Sequence, residues 1–197
     1  VIRNHNFRAI PVYLKAYEIV PEDEELPRKI GLCYYKIKNY DLAKHYLRIA
    51  DQKSMNLDVY KHLGYIYKMN NEPDSSNYYF NKALELLRAD NNTIFDIYID
   101  VAENYYALGN YNHAIAWYER SLNLEITGMW LRSLNNKALI DIASIYADKL
   151  NDKEKAIEYF MKVNDDTSFL VNEQDYYKYA QQQITKLKED LFFEGKL

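Results

Sequence analysis

One spacing recurs along this 197-residue chain and constrains its fold more than any other feature. Tyr60-x2-Leu63-Gly64-x2-Tyr67 is followed, nine residues after its last tyrosine, by Ser76-x3-Phe80 and then Ala83. One period earlier stand Pro27-x2-Ile30-Gly31-x2-Tyr34 and, at the same distance, Ala43-x3-Leu47 and Ala50. Tyr98-x2-Val101-Ala102-x2-Tyr105 leads in the same way to Ala114-x3-Tyr118. A fourth copy, Leu139-x2-Ile142-Ala143-x2-Tyr146, reaches Ala156-x3-Phe160 after ten residues, which predicts one inserted residue within 148–153. Self-similarity at a period of a few tens of residues is the signature of stacked supersecondary units, each too small to bury its own apolar face.

The residue types explain the pattern. An aliphatic residue, a small one and a tyrosine at spacings of one and three lie on one helical stripe, and the small residue lets a second helix approach. Leu47, Phe80, Tyr118 and Phe160 are predicted to fill the space between neighbouring pairs. Lys38-Asn39-Tyr40, Asn70-Asn71-Glu72-Pro73 and Leu108-Gly109-Asn110-Tyr111 supply turn chemistry between antiparallel helices. The tyrosine-to-tyrosine period grows from 33 to 38 to 41 residues, which predicts later helices longer by about one to two turns. With 5 Gly and 4 Pro, the chain has too little punctuation for a sandwich or barrel.

A large-x2-aliphatic-small-x2-Tyr helix followed by Ala-x3-aromatic resembles the tetratricopeptide repeat. The resemblance covers nearly the whole chain. It implies an all-α, right-handed α-α superhelix: a leading half-repeat at 7–21, repeats at about 24–53, 56–88, 92–125 and 130–164, and a capping helix at about 172–192. Ser76 departs from the usual Ala, and no complete copy ends in the family's proline.

The two ends read differently. Ala9-x3-Tyr13-x2-Ala16 before Pro21 fits the second helix of a pair, so the array is expected to be truncated at Val1 and the face of residues 7–20 to be covered by another chain or rearranged. Self-association through this helix is one way to cover it. At the other end, a helix over Glu173 to Leu191 is predicted to turn Tyr177, Ala180, Ile184, Leu187 and Leu191 inward, with Phe192-Phe193 packed beneath it.

Chemistry-bearing constellations are weak. His5, His45, His62 and His113 are scattered and form no ligand pair, and Cys33 lies in a helix between Gly31 and Tyr34, where packing explains it better than nucleophilic reactivity. No phosphate-binding glycine loop or nucleophile elbow is present. The chain therefore reads as non-catalytic, with no cofactor and no metal. A net charge of -4 argues against nucleic acid, and no apolar run approaches the roughly 20 residues of a membrane span. Asn91-Asn92-Thr93 matches a glycosylation acceptor, which bears only on an exported chain, and cytoplasmic and exported locations both stay open.

Binding is what remains, with a protein or peptide as the expected partner. In tetratricopeptide proteins the first helix of each pair lines the concave surface. The resemblance thus implies a groove at Arg28, Leu32, Tyr35, Lys61, Tyr65, Lys68, Ile99, Glu103, Tyr106, Asp141 and Ser144. Its charges segregate: Arg28, Lys29, Lys36, Lys61 and Lys68 stand against Glu25 and Asp58, then Asp96, Asp100, Glu103, Asp141 and Asp148 against Lys137. A ligand with its acidic end toward residues 28–68 would fit this polarity. The carboxylate clamp of some family members needs Lys followed four residues later by Asn; here Leu32 follows Arg28 and Tyr65 follows Lys61, with Asp100 and Asp141 at the later positions. Chaperone-tail binding is therefore not expected. A second functional reading is a peptide- or ligand-sensing regulatory segment of a longer chain.

Overall fold

A computed structural model describes residues 2–87, 90–125, 131–164 and 176–196, with side chains from residue 5 onward and, in the helix beginning at Leu131, from residue 133. The described residues form ten helices and no strand. They are α1 (Ile2–Ile19), α2 (Glu25–Lys36), α3 (Tyr40–Lys53), α4 (Leu57–Met69), α5 (Pro73–Leu86), α6 (Asn91–Ala107), α7 (Tyr111–Leu122), α8 (Leu131–Asp148), α9 (Lys153–Met161) and α10 (Tyr176–Phe193). Expected boundaries at 88, 130 and 172–175 lie outside the described residues. The helices form two compact units, Val1–Ala89 and Asp90–Leu197.

Within each unit the small residues of the repeat set the packing. A Cβ added to Gly31 would stand 2.7 Å from Leu47 Cγ, and one added to Gly64 would stand 2.6 Å from two ring carbons of Phe80. Leu47 and Phe80 therefore sit on the glycine of their own helix pair, rather than only in the gap between pairs. The glycines, which weaken a helix interior, are retained because contact at this distance leaves no room for a side chain. Ala102 and Ala143 occupy the same slot in the second unit, both fully buried. Ser76 is no defect: its hydroxyl, fully buried, donates to the Gly64 carbonyl at 2.9 Å and so satisfies itself across the close contact.

The turns repeat as faithfully as the cores. After each of Tyr34, Tyr67 and Tyr105 the chain enters the left-handed region four residues on, at Lys38 (φ 66°), Asn71 (φ 58°) and Gly109 (φ 75°). The next backbone N–H then returns to the tyrosine carbonyl, at 3.0 Å for Asn39, 2.9 Å for Glu72 and 2.9 Å for Asn110. This is the Schellman arrangement, which satisfies carbonyls left open at a helix C-terminus. In the fourth repeat the left-handed residue is Asn151 (φ 53°), one position later, and Asp152 N–H returns to Tyr146. The inserted residue thus lies in the turn where the spacing predicts it. Lys38 bears a side chain where glycine is favoured, so Lys38→Gly should raise the unfolding free energy by about 1 kcal/mol. Urea denaturation checks this, and an unchanged or lower midpoint would contradict it.

The extra length of the later repeats falls on one side of each pair. First helices grow, from 12 and 13 residues in α2 and α4 to 17 and 18 in α6 and α8. Second helices do not: α3 and α5 have 14 residues each, whereas α7 has 12 and α9 only 9. The expectation of longer later helices holds only for the first of each pair.

Helix α10 closes the second unit by burying Ala180, Ile184 and Leu187 against Leu139, Ala143, Ala156, Phe160 and Val163. Tyr177 does not join them. It is exposed, and Tyr176 and Tyr179, three residues apart on the neighbouring stripe, pack against the cluster instead. Phe192 and Phe193 are also outside the core, 66% and 85% exposed, because they follow Leu191, the last inward position of the helix. No helix among the described residues is long and apolar enough to cross a membrane.

Candidate functional site

Most of the 21 tyrosines are structural, in a way their spacing encodes. Tyr34 stacks on Tyr46 (5.8 Å between centroids, 15° between planes), Tyr67 on Tyr79 (5.4 Å, 6°) and Tyr146 on Tyr159 (5.6 Å, 20°). The partners lie twelve residues apart in the first two repeats and thirteen in the fourth, the extra one being the turn insertion. In the third repeat Tyr105 stacks on His113, while Trp117 turns to Tyr98. Lysines cover several of these rings, Lys44 over Tyr67 at 5.2 Å and Lys162 over Tyr159 at 4.1 Å. Tyr79 also donates to Asp51, and burial pushes its phenol up to about 12. These tyrosines hold helix pairs together.

In the first unit that face is built by α2 and α4. Arg28 bridges to Glu25 on its own helix and to Asp58 of α4 at 3.6 Å, so both carboxylates of the face are engaged by one guanidinium. One turn further, the Tyr35 ring stands 4.6 Å from His62 of α4, nearly perpendicular to it, and 5.6 Å from Tyr40. His62 Nδ1–H donates to the Asp58 carbonyl at 2.6 Å, which places the neutral ring's acceptor at Nε2. Tyr65 rests its ring 5.2 Å from Phe80, between Lys61 and Lys68 on the outer stripe of α4. Leu32 is half-buried on the same side of α2. Arg28–Asp58 and Tyr35–His62 are the contacts that join α2 to α4 here, with Arg28 engaging both Glu25 and Asp58.

Burial holds the His62 imidazole below its ordinary value, outweighing the opposite pull of Asp58. The folded chain therefore takes up a proton at this ring less readily than the unfolded chain. Stability that is complete above the unfolded value of 6.5 is lost as pH falls toward the lower folded value. Comparing unfolding midpoints between pH 7.5 and 5.5 for the wild type and His62→Gln should show a smaller acid loss in the variant. Equal losses would mean that His62 does not carry this dependence.

In the second unit α6 and α8 form the corresponding face. Lys137 lies 3.0 Å from Asp141 and 3.5 Å from Glu103, joining the two predicted acidic residues. Tyr118, almost fully buried on α7, hydrogen-bonds the Asp141 side chain from below. Burial raises the Asp141 carboxyl against the pull of Lys137, and burial followed by Asp141 raises the Tyr118 phenol. Tyr106 is 41% exposed, with its ring 5.6 Å from Tyr111. Ser144 is half-buried, whereas Ile99 packs against the core cluster of Ala102, Ala114 and Ile142 and contributes to that core as well as to the face. Tyr118 is the participant that the groove expectation omits. His62 was legible four residues after Asp58 on the same helix, whereas Tyr118 arrives from a second helix and left no local signal.

Among the described residues no three His, Cys, Asp or Glu side chains converge as a metal site. Cys33 is buried, its thiol pushed up by burial and 3.8 Å from Asn6 Oδ1. Asn91, of the glycosylation triplet, donates to the Glu125 carbonyl at 2.8 Å.

An all-helical array of antiparallel pairs with small residues at the crossing defines a class, the helical repeat proteins. Residues 95–125 and 137–165 match the tetratricopeptide repeat family, and the fold is that of tetratricopeptide-repeat proteins. The chain is similar to the solved structure of MamA, at 21% identity over 92% of this chain and 90% of that one, with a TM-score of 0.63. It is similar to YrrB, described as a TPR protein with an unusual peptide-binding site, at 20% identity over 91% and 84%, TM-score 0.70. A third similar structure is the apo form of the quorum sensor NprR from B. thuringiensis, at 18% identity over 98% of this chain and 55% of that one, TM-score 0.67. No curated protein sequence matches the chain.

Proposed function

We propose that this chain is a non-catalytic interaction scaffold that takes protein or peptide segments on its first-helix faces. The α2–α4 face receives an acidic stretch, and the α6–α8 face a basic one. The observation that carries this reading is the engagement of Glu25 and Asp58 by Arg28, which leaves the lysines of the face as its dominant charge, set beside the rings of Tyr35 and Tyr65. Aromatic surface supplies contact area and lysines supply steering and register, the combination expected where an extended acidic segment is held. The likeness to YrrB, described by its peptide-binding site, accords with this use of the fold.

An Asp/Glu-rich fluorescein-labelled peptide titrated with the chain should bind with an affinity that falls as salt rises, since exposed charges are screened over about 8 Å at physiological ionic strength. Lys61→Glu with Lys68→Glu should weaken it at least tenfold while leaving helicity unchanged. Equal binding by both proteins would remove the assignment of this face. A second reading, a peptide-sensing regulatory segment, is supported by the likeness to the quorum sensor NprR, of which this chain spans 55%. A short peptide that shifts the unfolding midpoint of the chain without tethering a larger protein would favour it.

A further inference from the structure

On the α6–α8 face a lysine of the chain itself sits between two carboxylates. Lys137 Nζ donates to Asp141 Oδ2 at 3.0 Å and lies 3.5 Å from Glu103 Oε1, so a single ammonium spans acids from two helices. The Asp141 carboxylate is held from below by the hydroxyl of Tyr118, whose side chain is buried. From above the group is open to solvent: the side chains of Lys137, Glu103 and Asp141 are 46%, 39% and 31% exposed. At its edge the Tyr106 phenol interacts with that of Tyr118, and the Tyr106 ring already has a cation near it, with Lys149 Nζ 5.9 Å from its centroid.

This arrangement discriminates between two kinds of basic side chain. A lysine arriving on a ligand would exchange one ammonium for another, and the resident ammonium is tethered beside the carboxylates and so present at high effective concentration. A guanidinium instead brings five N–H donors in a planar fork, which can address both carboxylates at once and lay its face on an aromatic ring. We infer that the α6–α8 face selects arginine over lysine, with Lys137 as the built-in competitor that enforces the selection. This rests on the reading of that face as the one that takes a basic segment, and it names the residue taken. The arginine displaces the Lys137 ammonium toward water, which the long flexible stem of a half-exposed lysine permits without movement of α8. Selectivity then comes from a repulsive element as much as from an attractive one.

Two N-acetylated, fluorescein-labelled peptides that differ only in carrying arginines or lysines test this by anisotropy titration. The proteins are the whole chain, Lys137→Met and Asp141→Asn, each checked for unchanged helicity. The wild type should bind the arginine peptide at least about fivefold tighter than the lysine peptide. Lys137→Met should bind both more tightly and reduce that preference to less than about twofold, because the lysine peptide gains most once the competitor is gone. Asp141→Asn, which keeps an acceptor for Tyr118, should weaken the arginine peptide at least about fivefold. Equal affinity of the wild type for the two peptides, or a preference unchanged in Lys137→Met, would overturn the selection while leaving the basic-segment reading in place. Binding of neither peptide by the wild type would overturn that reading, and the selection with it.

Discussion

Replacing Phe80 with alanine is expected to lower the unfolding free energy by about 3–5 kcal/mol. Phe80 is fully buried, and its ring lies against the backbone at Gly64, where even a methyl group would stand 2.6 Å away. A site this close cannot collapse cheaply onto the space left by the ring, because the two helices are already separated by that ring alone. The loss therefore includes both the transfer of the aromatic surface and the cavity left behind. The Tyr65 ring, 5.2 Å from Phe80 and part of the proposed ligand face of α4, loses its support as well. Chemical denaturation should show the large drop together with weaker acidic-peptide binding measured below the transition. A loss under about 1 kcal/mol would mean that the helices can close the gap, contrary to the packing described.

The second large effect is expected at Asn136, whose side chain is fully buried. Its amide donates to the Asn164 carbonyl at 2.9 Å and its oxygen accepts from the Asn164 N–H at 3.0 Å. One side chain thus pins the chain just beyond α9 to the first turns of α8, in the manner of a paired backbone. Asn136→Ala removes both bonds and leaves a void, at a cost of about 2–3 kcal/mol. Asn136→Asp keeps the acceptor but loses the donor and buries a charge, so it should be no milder at neutral pH. Thermal unfolding of the three proteins checks the order, and an alanine variant as stable as the wild type would show the pair to be replaceable by water.

Both predictions rest on features of unequal visibility in the sequence. The close crossings at Gly31 and Gly64 were legible, because a small residue repeated beside an aliphatic one and three before a tyrosine marks the point where a second helix must come near. The turn insertion was legible too, since the shift from nine to ten residues had to be absorbed between Tyr146 and Ala156. The stacked tyrosine pairs were present as a twelve-residue spacing, yet ring stacking depends on two side chains meeting across a turn, and the core reading of each tyrosine concealed its partner. Tyr177 and Phe192-Phe193 show the opposite failure. Amphipathic spacing fixes a stripe to within about one residue, and Tyr176 and Tyr179 fit the α10 stripe better than Tyr177 does. Asn136 left no trace, because its partner is a backbone unit 28 residues away.

Of the candidate site, the expected first-helix positions follow from periodicity, and the charge segregation from composition along the chain. What the sequence could not convey was pairing. Arg28 counted as one cation among five, whereas it engages Asp58 of the next first helix. Lys137 counted as one cation among acids, whereas it joins Glu103 to Asp141. Pairing across helices depends on crossing angle and rotamer, which a linear pattern does not carry.

The central claim, that the α2–α4 face holds an acidic segment, is tested most directly by peptide display against the whole chain and against Lys61→Glu with Lys68→Glu. The account predicts that peptides enriched by the wild type are rich in Asp and Glu and that the charge-reversed chain fails to retain them. Enrichment of peptides without acidic bias, or equal retention by both chains, would contradict it.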